Sequence, residues 1–125
     1  MKTLKKVLWL WLAMSLAVFA ETKKVEVEEA EKLVTDKAQV LDVRTQEEWD
    51  EGHLDGAVRV DFNEKNFGEK VLKTLDPKKP VLIYCNSGGR SGRATEAMDK
   101  LGFKVIYDLD GGIKAWKKAG NKVVK

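Results

Sequence analysis

The chain has 125 residues, 43% hydrophobic and 34% charged, with a formal net charge of +3. That suits one compact domain, leaves no room for two, and excludes collagen-like, low-complexity and wholly disordered chains. A single cysteine, Cys85, and a single histidine, His53, exclude an intramolecular disulfide and the structural zinc sites built from four Cys and His ligands, so neither a metal nor a cofactor is expected.

The charge is unevenly spread. Lys2, Lys5 and Lys6 precede an apolar stretch from Val7 to Ala20, and no acidic residue occurs before Glu21. This is the layout of a secretory signal peptide, with small residues at Val18 and Ala20 and cleavage expected after Ala20. A transmembrane helix needs about 20 apolar residues, more than this stretch supplies. Residues 1–20 are therefore assigned to a leader and 22–125 to the folded domain, with the periplasm as destination. An uncleaved leader anchoring the domain to the inner membrane is the alternative. Taking the three leader lysines from 23 basic residues leaves 20 against 20 acidic ones, so the mature chain is formally neutral. It lacks the one-sided positive surplus of a nucleic-acid binder. No nucleic-acid partner and, after cleavage, no stable membrane association are expected, and a monomer is favoured.

Lys24–Val27 is a weak strand candidate, followed by helical spacing at Ala30, Leu33 and Val34. Gln39–Val43 reads as a strand. Thr45-Gln46-Glu47-Glu48 has the form of a capping box, opening a short helix over Glu47–Glu51. Gly52 and Gly56 bracket a tight loop before the strand Ala57–Val60. Phe67, Val71, Leu72 and Leu75 mark the next helix, ended by Asp76-Pro77. The continuous apolar run Val81–Tyr84 suits a strand buried on both faces. A helix starting near Ser91 carries Ala94, Ala97, Met98 and Leu101 inward and stops before Gly102; a strand at Val105–Asp108 and a helix with Ile113, Trp116 and Ala119 complete the chain. This alternation predicts an α/β fold, a three-layer domain with a central, mainly parallel sheet flanked by helices.

The informative segment joins VLIY to the helix that follows. In open α/β sheets, ligands bind outside the carboxyl ends of strands, where Cys85 is expected. Backbone amides from Asn86 through Ser91 can curl toward the sulfur as an anion-binding nest, with the positive end of the next helix aimed at the same point. Gly88 and Gly89 are expected to supply backbone angles that a Cβ forbids. Arg90 is expected to close the loop with two parallel hydrogen bonds to an anionic substrate. Cys85 is thus the candidate nucleophile, with Asn86, Ser87, Gly88, Gly89, Arg90 and Ser91 as the substrate-binding set. Such surroundings lower a thiol pKa below its free value of about 8.5, so no base residue is required.

The segment CNSGGRS (Cys85–Ser91) resembles the Cys-x-x-Gly-x-Arg active-site loop of rhodanese-type sulfurtransferases. DVRTQEEWDEGHLDGAVRV (Asp42–Val60) is similar to the family's Asp-Val-Arg … Glu-x-x-x-Gly-His-Ile-x-Gly-Ala block, and YDLDGGIKAWKKAG (Tyr107–Gly120) to its closing Gly-Gly … Trp-x-x-x-Gly block. One domain behind a leader looks most like the small periplasmic rhodaneses of the phage-shock type. The resemblance implies that Cys85 takes sulfur from thiosulfate or a similar donor, carries it as a persulfide, and gives it to cyanide or a thiol. With no second Cys in the chain, the acceptor must come from outside. It also implies structural roles for His53, Asp42 and Arg44. Trp49 and Trp116 read as packing residues, Arg93 as a solvated charge, and the C-terminal lysines as a solvated face.

Two other readings remain open at this point. One is a sulfur-carrier or partner-binding module without efficient turnover. The other is a Cys-dependent phosphatase or arsenate reductase, whose loop is Cys-x5-Arg; here Arg90 is the fifth residue after Cys85, one short of that pattern.

Overall fold

Alternating apolar runs and amphipathic helices become alternating strands and helices in the computed structural model, which describes residues 21–125. The expected leader lies outside the described residues. In chain order the elements are β1 (Glu21–Val25), α1 (Val27–Thr35), β2 (Gln39–Asp42), α2 (Gln46–Asp50), β3 (Ala57–Arg59), α3 (Phe67–Thr74), β4 (Val81–Tyr84), α4 (Gly89–Lys100), β5 (Val105–Leu109) and α5 (Gly112–Lys118). The five strands form one sheet in the order β1-β5-β4-β2-β3, and every neighbouring pair is parallel.

The strand β4 is buried along its whole length, as its unbroken apolar sequence requires. Its residues alternate between two cores. Val81 and Ile83 join Val71, Ala94, Met98 and Phe103 beneath α3 and α4, while Leu82 and Tyr84 join Ala30, Ile113 and Trp116 beneath α1 and α5. These are the three expected layers, helices on both faces of the sheet.

Two boundaries differ from the sequence reading. The first strand runs Glu21–Val25 and not Lys24–Val27, with only Val25 buried. As an edge strand paired with β5 alone, it needs no apolar run, so periodicity registers it poorly. The helix α4 begins at Gly89, two residues before the expected start, which puts Gly89 and Arg90 in its first turn.

The chain steps from β2 outward to β3, returns to β4, and then steps the other way to β5. The sheet therefore has a topological switch point between β2 and β4, the place at the carboxyl ends of the strands where open α/β sheets bind ligands. Asp42 and Tyr84 are register partners there, and Cys85 is the next residue. At this switch point Asp42 accepts from Arg44 Nε at 3.0 Å, from Arg44 Nη2 at 2.8 Å and from the Tyr84 hydroxyl at 2.6 Å. Arg44 Nη2 also donates to the Gly52 carbonyl at 2.7 Å, and the Leu54 amide donates to the Tyr84 hydroxyl at 3.1 Å. Asp42, Arg44 and Tyr84 are all buried. Burial, reinforced by the Asp42 charge, raises the Tyr84 pKa far above the usual phenol range, so the hydroxyl stays protonated as a donor.

The contacts of His53 are with Trp49 and Val124. Its ring stacks on Trp49 with centroids 3.5 Å apart, Nδ1 is 3.2 Å from the Trp49 carbonyl, and its backbone pairs with Val124. Trp116 is buried, and its indole N–H donates to the Lys122 carbonyl at 3.1 Å. These are the structural roles expected of both residues.

Candidate active site

Cys85 stands immediately past the end of β4, 1% exposed. Burial alone would raise the thiol pKa, because it penalises the charged form. The Ser91 hydroxyl and the Ser91, Gly88 and Ser87 amides outweigh it, and the net shift is downward. The Gly88 amide donates to Sγ at 3.0 Å, and Ser91 Oγ lies 3.5 Å from Sγ. Of the amides expected from Asn86 through Ser91, that of Gly88 is hydrogen-bonded to Sγ and those of Ser87 and Ser91 add to the downward shift, at the N-terminal end of the twelve-residue helix α4.

The neighbouring helix holds the start of this loop. The Ile113 amide donates to the Cys85 carbonyl at 3.0 Å, and the Lys114 amide donates to the Asn86 carbonyl at 3.2 Å. With the Asn86 carbonyl drawn toward α5, the Ser87 N–H of the same peptide plane is left to the thiol side. This close docking requires glycine at position 112. A Cβ there would fall 2.5 Å from the Asn86 carbonyl oxygen and 2.6 Å from that of Cys85, and φ is +62°. Asn86 thus contributes through its carbonyl.

The two loop glycines divide. Gly88 has φ +123°, a left-handed conformation that disfavours side chains, whereas Gly89 is helical with open space where a Cβ would project. The geometric need for glycine expected at both positions holds at Gly88 only.

The guanidinium of Arg90 is held by a carboxylate that the sequence reading did not connect to it. Nη1 and Nη2 donate to Glu48 Oε1 and Oε2 at 2.7 and 2.8 Å, a parallel two-bond pairing. Glu48 is also the acidic member of the Thr45 capping box, accepting from the Thr45 amide and hydroxyl. The Arg90 hydrogen bonds, opposed by burial and assisted by Thr45, hold the Glu48 pKa down at about 2. Its folded value being depressed, this group stabilises the fold fully above the unfolded-state value of 4.5 and ceases to do so as pH falls toward 2. Thermal melts of the wild type should therefore lose stability more steeply across that interval than melts of Glu48→Gln, which has no charge to titrate. Superimposable acid limbs would contradict the pairing. Arg90 feels the charge on Cys85 as well, so one guanidinium joins α2 to the mouth of the thiol nest.

Residues 26–119 match the family model described as Rhodanese-like domain. The chain is 34% identical over 107 residues to "Thiosulfate sulfurtransferase 18" of Arabidopsis thaliana, spanning 77% of this chain and 79% of the relative. It is 39% identical over 80 residues to "Uncharacterized protein YqhL" of Bacillus subtilis, with coverage of 64% and 61%. A Chlamydia trachomatis "tRNA uridine(34) hydroxylase" is 40% identical over 91 residues, 69% of this chain but only 28% of that protein. The crystal structure of a rhodanese-related protein from Thermoplasma volcanium superposes with a TM-score of 0.72 at 27% identity, covering 82% of this chain and 97% of that one. By the family model, by the plant relative and by the shared fold, the chain belongs to the rhodanese-like domain family.

Proposed function

We propose that the protein is a sulfurtransferase that moves sulfane sulfur from thiosulfate or a similar donor to cyanide or a thiol through a Cys85 persulfide. The observation that carries this reading is the set of donors converging on Cys85 Sγ, which lowers the thiol pKa despite its burial. In the first half-reaction the Cys85 thiolate attacks the outer sulfur of thiosulfate. A new S–S bond forms, the old one breaks, and sulfite leaves with the bonding pair. The product is a persulfide anion whose charge remains beside the same amides. In the second half-reaction cyanide or a thiolate attacks the outer sulfur, and Cys85 leaves as the thiolate. The acceptor is external because the chain holds one cysteine.

Arg90 supports donor binding. Pairing with Glu48 uses two of the five guanidinium N–H donors, leaving three for an arriving anion. Losing a charge-assisted hydrogen bond costs about 1.5–3 kcal/mol, so Arg90→Ala should lower kcat/KM for thiosulfate about 10- to 100-fold, mainly through KM. Unchanged KM would assign Arg90 to the Glu48 pairing alone. The lysine-led apolar leader supports a further part of the proposal, that the domain acts in the periplasm on small-molecule donors and acceptors.

Steady-state transfer from thiosulfate to cyanide tests the reading. Parallel double-reciprocal lines are expected, the pattern of a covalent intermediate in a two-step exchange. Release of phosphate from an aryl phosphate at a comparable rate would replace sulfur transfer with phosphatase chemistry. Persulfide formation with negligible turnover on small acceptors would make the domain a carrier.

A further inference from the structure

The mechanism above leaves Asp108 unused. Side chains of β5 alternate across the sheet, so Asp108 shares with Ile106 the face beneath α4, and Lys24 on the edge strand β1 is its register partner. Asp108 is 4% exposed, and its Oδ1 has no hydrogen-bond partner among the described residues. Buried carboxyl oxygens are ordinarily paired, so an orphan one calls for an explanation. Asp108 lines a cavity of about 400 Å³ between β1 and the first turns of α4. Small-molecule sites commonly measure about 300–1,000 Å³.

The charges around this cavity have both signs. Lys24, Arg93, Glu96 and Asp108 all line it, and none of the four forms an ion pair among the described residues. Lys23, the remaining charged group there, is tied to Glu29. The Arg93 guanidinium lies over the Phe62 ring, 5.9 Å from its centroid. Gly89 and Gly92 form part of the α4 wall, and a Cβ at either would meet nothing within 4 Å, so the space beside them is open. This wall adjoins the reactive sulfur: the Gly92 amide donates to the Gly88 carbonyl at 3.1 Å, and the Gly88 amide donates to Cys85 Sγ at 3.0 Å. A purely anionic ligand here would face Asp108 and Glu96 unpaired, and a purely cationic one would face Lys24 and Arg93. A zwitterion answers both.

We propose that this cavity seats the sulfur acceptor, a small thiol-bearing amino acid whose ammonium group donates to the Asp108 carboxylate and whose own carboxylate accepts from Lys24. The acceptor thiol gives its proton to water, and the resulting thiolate attacks the outer sulfur of the Cys85 persulfide. A new S–S bond forms, the bond to Cys85 Sγ breaks, and Cys85 keeps the bonding pair as thiolate while the acceptor leaves as a persulfide anion; net charge is conserved. The proposal rests on the sulfur-transfer reading and names the acceptor class for it. Asp108 and Lys24 are binding residues for the second half-reaction, and cyanide, which carries neither an ammonium nor a carboxylate group, makes no use of them.

Transfer from thiosulfate by the full chain is measured to cyanide, cysteine, cysteamine and mercaptopropionate. Each variant is expressed relative to wild type, so that the intrinsic reactivity of each thiol cancels. Asp108→Asn should lower kcat/KM about 10- to 100-fold for cysteine and cysteamine, which carry the ammonium group, and leave mercaptopropionate and cyanide unchanged. Lys24→Gln, on the exposed strand, should lower it up to about fivefold for cysteine and mercaptopropionate, and leave cysteamine and cyanide unchanged. Gly92→Leu improves helix propensity, meets no atom near its Cβ and fills the open side of the wall; it should reduce cysteine use, and it serves if the Asn variant does not fold. Calorimetry with S-methylcysteine, which cannot take up sulfur, reads the cavity without any transfer, and its binding should weaken at least about tenfold in Asp108→Asn. Unaltered cysteine use in Asp108→Asn and Gly92→Leu overturns the proposal, as do equal losses with cyanide and cysteine. With cyanide transfer intact, those results leave sulfur transfer standing. No transfer to any acceptor, cyanide included, overturns sulfur transfer, while S-methylcysteine binding still decides whether the cavity holds a zwitterion.

Discussion

Cys85→Ser should abolish both sulfur loading and transfer, with kcat falling at least about a thousandfold. The amides of Ser87, Gly88 and Ser91 stabilise an anion at this point, but a serine hydroxyl ionises so far above neutral pH that the same donors leave it protonated. Oxygen also cannot take the place of sulfur in a persulfide. The substitution is nearly isosteric and its site lies at the edge of a core cluster, so the melting temperature should stay within a few degrees of the wild type. This combination, a folded chain with no activity, distinguishes a nucleophile from a packing thiol. Transfer above a tenth of the wild-type rate would put the reacting group elsewhere.

Asp42→Ala should produce the largest loss of stability. Asp42 is fully buried and receives bonds from Arg44 and Tyr84, and Arg44 is 3% exposed. Removing the carboxylate strands a buried guanidinium and a buried hydroxyl. Breaking a buried pair in this way costs about 3–5 kcal/mol. Domains of this size are stable by only about 5–15 kcal/mol, so the melting temperature should drop by roughly 15–25 °C. Asp42→Asn retains acceptor and shape and should lose less. The network also ties Gly52 and Leu54 to Arg44 and Tyr84, so the segment that carries Glu48 should loosen with it. A drop of under a few degrees in Asp42→Ala would show the network to be dispensable.

The parts of the site that were legible in the sequence are the parts written locally. The VLIY run and the Gly-Gly turn after Cys85 place a thiol at a strand end before a helix, and the Thr45–Glu48 spacing announces a capping box that the structure contains. Periodicity cannot show pairings made across the fold. Glu48 and Arg90 are 42 residues apart, and either charge alone reads as solvated. The close approach of Gly112 to the Cys85 and Asn86 carbonyls depends on how α5 meets the loop, and only the family's closing block hinted that the glycines matter. Asp108 gave no signal, because one acid at the end of a strand has no pattern of its own. The edge strand β1 was misplaced for the opposite reason: it buries only Val25, so it lacks the apolar alternation by which strands are found.

Mass spectrometry of the intact protein after incubation with thiosulfate tests the central claim most directly. The account predicts a gain of about 32 Da, one sulfur atom, mapped to Cys85, removed by cyanide and absent from Cys85→Ser. A wild-type chain that emerges from thiosulfate at its original mass, with Cys85 still open to alkylation, would contradict it.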